Sequence, residues 1–277
     1  MDFQRTYIEI SDDYDHIDPN IEYILENVPG TVVDKNEEYR QLQIEFNSIL
    51  LYGCEGDSCN HNCSNCLHGG NYKWDVKNQE LILDTKKAGE IFNECSFICK
   101  CDPSVCLNRL IQKGPRKKLK IFDSDLFLSK GLLTTGNIPK GGFICEYAGE
   151  ILTRNEASRR INLNEQNLGM NYILVMNEQR EEGNSTNITI IDPSKKGNIG
   201  RYLNHSCDPN CEIRSVRVDC PIPKIAIFAK RDISAGEELC FHYNGGQIEK
   251  QPKFEGKTCL CGAVNCAGFM PFNNLLF

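Results

Sequence analysis

The chain has 277 residues, 40% of them hydrophobic and 25% charged, an ordinary globular composition that excludes a wholly disordered or collagen-like protein. Its net charge of −7 excludes a general polyanion binder on charge alone. The unusual number is 16 cysteines: eight fall between Cys54 and Cys106, three between Cys259 and Cys266, and Cys145, Cys207, Cys211, Cys220 and Cys240 are scattered. The opening residues are acidic and polar, without the basic and apolar regions of a secretory signal. No apolar run approaches the ~20 residues of a membrane helix. The chain therefore reads as intracellular with no membrane partner. In a reducing compartment, clustered cysteines point to metal rather than to disulfides.

Residues 1–53 carry 12 Asp and Glu against 3 Lys and Arg, so the remainder is about +2. Periodicity up to residue 50 is weak and predicts partly extended structure packed on the body, ending in an apolar stretch at 44–51. Residues 52–108 are dense in cysteine, poor in regular pattern and too poor in apolar side chains for a core of their own, so metal must hold them. The pattern is Cys54-x4-Cys59-x3-Cys63-x2-Cys66, then Cys95-x3-Cys99-x-Cys101-x4-Cys106. Thiolates so close in the chain can converge on tetrahedral zinc. Eight terminal thiolates satisfy two zincs. Three zincs need twelve positions, which nine cysteines fill if three of them bridge, and eight with three bridging leave one position short. The run Lys113, Arg116, Lys117, Lys118 and Lys120 reads as a solvated linker face, with weak DNA contact through phosphates as the sharper alternative.

From about residue 120 the texture changes. Short strands are predicted at 143–147, 188–192 and 225–229, bounded by Gly and Pro. Thr153 and Glu156 have the spacing of a capping box and open a short helix through about Ile161. Many short strands and few helices indicate a mainly β protein with short helices. Cys259, Cys261 and Cys266 offer three ligands, so a fourth must come from a distant part of the chain.

The run Asn204-His205-Ser206-Cys207-Asp208-Pro209-Asn210, preceded by Gly-Asn-Ile-Gly-Arg-Tyr-Leu at 197–203, resembles the signature of SET-domain protein lysine methyltransferases. Ile138-Pro139-Lys140-Gly141 and Glu146-Tyr147-Ala148-Gly149-Glu150 look like the early motifs of that family. Gly236-Glu237-Glu238-Leu239-Cys240-Phe241-His242-Tyr243 looks like the late one. The eight-cysteine region is similar to the pre-SET zinc cluster of the Su(var)3-9 group, and the last three cysteines to its post-SET. The motifs fall in the family's order over roughly 52–277. The resemblance implies a SET fold of small curved sheets with a knot-like C-terminal threading, flanked by zinc-bound pre-SET and post-SET regions. The implied division is an acidic segment at 1–51, pre-SET at 52–113, SET at 114–245 and post-SET at 246–277.

The implied reaction moves methyl groups from S-adenosylmethionine to a lysine of the histone H3 tail, free or in a nucleosome, in the nucleus and on chromosomes. By resemblance, Tyr243 and Tyr172 line the catalytic site with Phe241. Phe241 stands where the family carries Phe or Tyr, and its lack of a hydroxyl implies a di- or trimethyl product. Ser129, Lys130 and Gly131 stand where the family opens its cofactor site, joined there by Tyr172, Arg201, Asn204 and His205. Cys207 completes the post-SET zinc with Cys259, Cys261 and Cys266. Cys54, Cys59, Cys63, Cys66, Cys95, Cys99, Cys101 and Cys106 hold two or three pre-SET zincs, leaving Cys145, Cys211, Cys220 and Cys240 unliganded. Lys130 replaces a family tryptophan, and His242 an aspartate. Gly56 stands where the ninth pre-SET cysteine belongs, with Asp57, His61 or water as substitutes. These departures sustain a second reading, a catalytically weak SET homologue serving as a zinc-stabilised chromatin- or partner-binding module.

Overall fold

A computed structural model describes residues 12–33, 35–56, 59, 66–167, 171–179, 186–244 and 257–271. Its elements run β1 (Glu22–Tyr23), β2 (Val28–Pro29), α1 (Glu37–Asn47), β3 (Tyr72–Asp75), β4 (Glu80–Leu83) and β5 (Ile91–Asn93). They continue with β6 (Leu119–Ser124), β7 (Ser129–Thr134), β8 (Phe143–Glu146), β9 (Gly149–Ile151), α2 (Arg154–Asn167), β10 (Leu174–Gln179) and β11 (Thr186–Gly197). The last are β12 (Asn204–His205), β13 (Cys211–Arg217), β14 (Lys224–Ala229) and β15 (Cys240–Phe241). One sheet has the order β1-β11-β9-β2 with β10 on β11, and a second the order β5-β13-β14-β8. Three two-stranded ladders, β3-β4, β6-β7 and β12-β15, complete the set.

The predicted strands at 143–147, 188–192 and 225–229 lie in β8, β11 and β14. β14 explains why its sequence is apolar at nearly every position. Ile225, Ile227 and Ala229 face a core with Leu132, Ile144, Ile199, Leu203 and Phe241. Ala226 and Phe228 face a second core with Tyr72, Leu83, Phe92 and Phe143. A strand buried on both faces loses the alternation of a half-buried one. The second core fastens the cysteine-rich region to the body, because its members come from β3, β4 and β5 as well as β8 and β14.

Three expectations need correction. The segment before residue 50 does contribute extended edges, since β1 runs parallel to β11 and β2 to β9, but it also forms α1. Asn36 caps that helix by accepting from the Tyr39 N–H at 3.0 Å, and Glu37 and Glu38 oppose the helix dipole in its first turn. None of its residues is fully buried; Tyr39, Leu42 and Phe46 form a half-buried face at helical spacing, a pattern too short to stand out beside the apolar stretch at 44–51. The cysteine-rich stretch is likewise not devoid of pattern, because it contains the β3-β4 hairpin and β5. Finally, α2 passes Ile161 and continues to Asn167. Its end, Asn-Leu-Asn-Glu-Gln-Asn, has almost no apolar side chain to signal the extra turns. At its start Thr153 Oγ accepts from the Glu156 N–H at 3.3 Å, as the capping box requires.

A buried ion network ties α2 to the first sheet. Arg160 reaches Glu150 at 2.7 Å, Glu156 at 2.8 Å and Asp192 at 2.9 Å. It also donates to the Thr31 carbonyl at 2.8 Å, which pins the N-terminal segment. Burial works to raise the carboxyls of Glu150 and Glu156, but hydrogen bonds and charge from Arg160, helped by Thr31 at Glu150 and Arg159 at Glu156, outweigh it and hold both below the usual range. Carboxyls depressed in the folded state stabilise it fully above their unfolded value of about 4.3, and the stabilisation fades as pH falls through the folded values. Arg160→Ala leaves buried Glu150 and Asp192 without their cation and Glu156 with Arg159 alone, and is expected to cost about 3–5 kcal/mol, read by urea unfolding at neutral pH. The loss should shrink in acid, where the wild-type chain also weakens.

Candidate functional site

The parallel pairing of β12 with β15 sets Asn204 opposite Cys240 and His205 opposite Phe241. The signature run after residue 203 and the run ending at Tyr243 therefore lie side by side. The Tyr243 hydroxyl donates to the Leu203 carbonyl at 2.9 Å, and the Tyr243 N–H donates to Nδ1 of His205 at 3.2 Å. Phe241 is fully buried, with ring centroids 4.9 Å from Tyr243 and 5.9 Å from Tyr147. The Tyr147 hydroxyl donates to the Tyr172 carbonyl at 2.6 Å. Burial pushes both phenols up, with nearby ionisable groups adding to it, so they stay protonated at neutral pH. Each hydroxyl spends its proton on a main-chain carbonyl and keeps its lone pairs for another donor.

Burial, with His242 nearby, lowers His205 to about 4. It is thus neutral, and since Nδ1 accepts from Tyr243, Nε2 carries the proton. That nitrogen lies 3.5 Å from Cys207 Sγ. Asn204 turns toward the β6-β7 hairpin. Its side-chain nitrogen donates to the Lys130 carbonyl at 3.2 Å and to Glu238 at 2.8 Å, and its oxygen accepts from Ser129 Oγ at 3.2 Å. A Cβ at Gly131 on that hairpin would meet Glu238 Oε1 at 2.4 Å and the Phe122 ring at 2.9 Å, so those side chains would have to shift. The Arg201 guanidinium lies 4.6 Å from the Tyr172 ring centre and 5.0 Å from that of Tyr202, a cation–π arrangement that holds the Tyr172 ring. Asp18 adds a carboxylate at 4.0 Å. The fold thus gathers Ser129, Lys130, Gly131, Asn204 and Glu238 on one side, and Tyr172, Arg201, Tyr147, Phe241 and Tyr243 around the aromatic cluster. Tyr147 and Glu238 sit inside the recognised motifs but were not singled out, because nothing in a lone sequence shows which hydroxyl or carboxylate turns inward.

Beside Phe241 opens a groove of about 270 Å³ between β10 and β13, lined by Glu90, Asn177, Glu178, Glu212 and His242 among others. β10 pairs with β11 alone among the described strands, so its second edge faces the groove. The Asn177 side-chain oxygen has no hydrogen-bond partner.

The cysteines gather in two places. Cys207, Cys259, Cys261 and Cys266 have their sulfurs within 4.8 Å of one another, so the distant fourth ligand demanded by the tail is Cys207. Asn265 also donates to the Cys207 carbonyl at 3.3 Å. In the N-terminal region three groups of four thiols form: Cys54, Cys59, Cys66 and Cys95; Cys54, Cys95, Cys99 and Cys101; and Cys59, Cys95, Cys101 and Cys106. Four converging sulfurs are the donor set of structural zinc. Cys63, Asp57 and His61 lie outside the described residues. Cys145, Cys211 and Cys240 are buried away from both places, and burial pushes their thiols up.

Residues 129–244 match the SET domain family. The chain is 37% identical over 266 residues to the histone-lysine N-methyltransferase SETMAR of Rattus norvegicus, covering 92% of this chain and 81% of that protein. The crystal structure of the methyltransferase domain of human SETMAR superposes with a TM-score of 0.71 at 34% identity, over 91% of this chain and 90% of that one. Arabidopsis thaliana SUVH6, solved in complex with SAM, gives a TM-score of 0.70 at 26% identity, over 95% of this chain and 52% of that one. Together with the paired signature strands, these likenesses establish that the chain belongs to the SET-domain histone-lysine N-methyltransferase family.

Proposed function

We propose that this protein transfers methyl groups from S-adenosylmethionine to a lysine of the histone H3 tail and carries it to the di- or trimethyl state. The observation that carries the reading is the meeting of the groove with the aromatic cluster: an open strand edge ends at Phe241, beside two tyrosines whose hydroxyl protons are already committed. An extended peptide can add to such an edge through its main chain, and the exposed Glu90 suits a basic one, while Glu178 and Glu212 are held by Arg217 and Arg214. Lys113, Lys117, Lys118 and Lys120 are exposed, whereas Arg116 turns inward to Glu80 and the Phe143 carbonyl. Four cations thus remain for weak contact with nucleosomal DNA. Action in the nucleus, on chromosomes, follows from such a substrate.

The residues present suit the cofactor. Asn204, Ser129 and the Lys130 backbone offer hydrogen-bonding groups, Gly131 keeps the hairpin close, and Arg201 fixes the flat face of Tyr172, with His205 holding the adjoining turn. When bound there, S-adenosylmethionine supplies the activated methyl group. The protein prepares the nucleophile. A free lysine amine has a pKa of about 10.4, and Phe241, Tyr147 and Tyr243 desolvate it, which favours the neutral form. Tyr243 and Tyr147 accept N–H bonds from the amine and aim its lone pair. Phe241 adds bulk without a hydroxyl, so nothing there binds a water or an amine proton, and space remains for a methylated amine. Residues 52–113, 114–245 and 246–277 serve as pre-SET, SET and post-SET regions, behind an acidic segment at 1–51.

Tyr243→Phe is expected to lower kcat on a histone H3 peptide by about 10²–10³-fold while calorimetry shows S-adenosylmethionine affinity nearly unchanged. A variant with wild-type kcat would refute the role of the hydroxyl. Phe241→Tyr is expected to stop at the monomethyl product, read by mass spectrometry of the peptide at completion. Stripping zinc with a chelator is expected to release the tail from Cys207, so that limited proteolysis cuts within 257–271 first.

A further inference from the structure

We propose that His68 is a zinc ligand that takes the place of the missing ninth thiolate, so that the N-terminal cluster holds three ions through eight cysteines and one imidazole. The inference rests on reading the thiol groups as zinc sites.

The three N-terminal groups overlap in a definite way. Setting Cys95 aside, the first and second share Cys54, the first and third share Cys59, and the second and third share Cys101. These three link every pair of ions and act as bridges. Cys66, Cys99 and Cys106 each occur in one group and are terminal. Cys95 occurs in all three, but with the ions already bridged it serves one of them. It lies 3.7 Å from Cys66 and 3.9 Å from Cys54 and also bonds to Cys106 and Cys99, and we assign it to the first or the third ion. The second ion then has Cys54, Cys99 and Cys101. It and one other ion each lack a fourth donor, and the eighth cysteine of the count supplies one of the two.

His68 meets the other need. It follows a ligand in Cys66-Leu67-His68, and it is buried to 7% exposure. Its Nε2 is 3.2 Å from the Sγ of Cys99, the thiol peculiar to the second group. Zinc bonds of about 2.3 Å to sulfur and about 2.0 Å to nitrogen put two tetrahedral ligands roughly 3.5 Å apart, so nitrogen and sulfur are already spaced nearly as neighbours on one ion. The loop is held in place, because Asn71 donates to the His68 carbonyl at 3.0 Å, and the Tyr52 ring lies 5.6 Å from the imidazole. Nδ1 is buried with no hydrogen-bond partner. A metal bond through Nε2 would give this buried ring a stronger partner than a thiol. An uncharged imidazole also lessens the negative charge that a ninth thiolate would add beside the other eight.

The test is the zinc content of the full chain by native mass spectrometry, for wild type, His68→Cys and His68→Gln. Gln keeps an N–H donor for Cys99 but is a poor zinc ligand. The expected result is one zinc for each of the four groups in wild type, the same content in His68→Cys, and one zinc fewer in His68→Gln. A full complement in His68→Gln would show that His68 only hydrogen-bonds Cys99 and would overturn the proposal. A wild-type chain already one zinc short would overturn it too. A chain without zinc would overturn the reading of the thiol groups themselves.

Discussion

The short parallel ladder between β12 and β15 is the constraint on which the site depends. It consists of two residues on each strand, far too few to hold on their own, and it persists because its surroundings are closed. Leu203, Leu239 and Phe241 are buried against the larger core, and Asn210 accepts from the Cys240 N–H while donating to the Glu238 carbonyl. Through this crossing, Asn204 meets the hairpin of β6 and β7, His205 meets Tyr243, and Cys207 is set out toward the tail. Each contact is formed by residues distant in the chain, and each relies on the same crossing.

Two kinds of region differ in what can hold them together. Around β14 the chain buries aliphatic and aromatic side chains in quantity, and hydrophobic burial suffices. In the N-terminal cysteine region the buried cluster is made of thiols, and neighbouring thiols give little cohesion until they share an ion. Arg109 is packed there as well, donating to the Ser96 carbonyl at 2.6 Å and lying 3.6 Å from Cys101. A buried cation in that position suits thiolates rather than thiols.

Much of this was legible in the chain. The strands around 143, 188 and 225 were visible because their apolar residues lie between glycines and prolines. The shortage of one ligand among Cys259, Cys261 and Cys266 pointed to a distant partner, and Cys207 supplies it. What stayed hidden depended on partners rather than pattern. α1 buries no residue fully, and its Tyr39, Leu42 and Phe46 make only a short apolar face. The hydrogen bond from Tyr147 to Tyr172 cannot be read from either residue alone. His68 stands two residues beyond Cys66, and nothing in the chain's order shows that its ring meets Cys99.

β14 has one further consequence. Because both of its faces are packed, the strand has no indifferent alignment. Sliding it by one residue would exchange Ile225, Ile227 and Ala229 for Ala226 and Phe228, driving a phenyl ring into the core behind Phe241 and leaving a void beneath the cysteine region. An amphipathic strand misaligned in this way would expose its apolar side to water, whereas here both volumes would be wrong at once. The strand acts as a gauge during folding: it accepts the cysteine region and the SET body only when both are in their proper places, so neither half can settle into an alternative packing without disturbing the other.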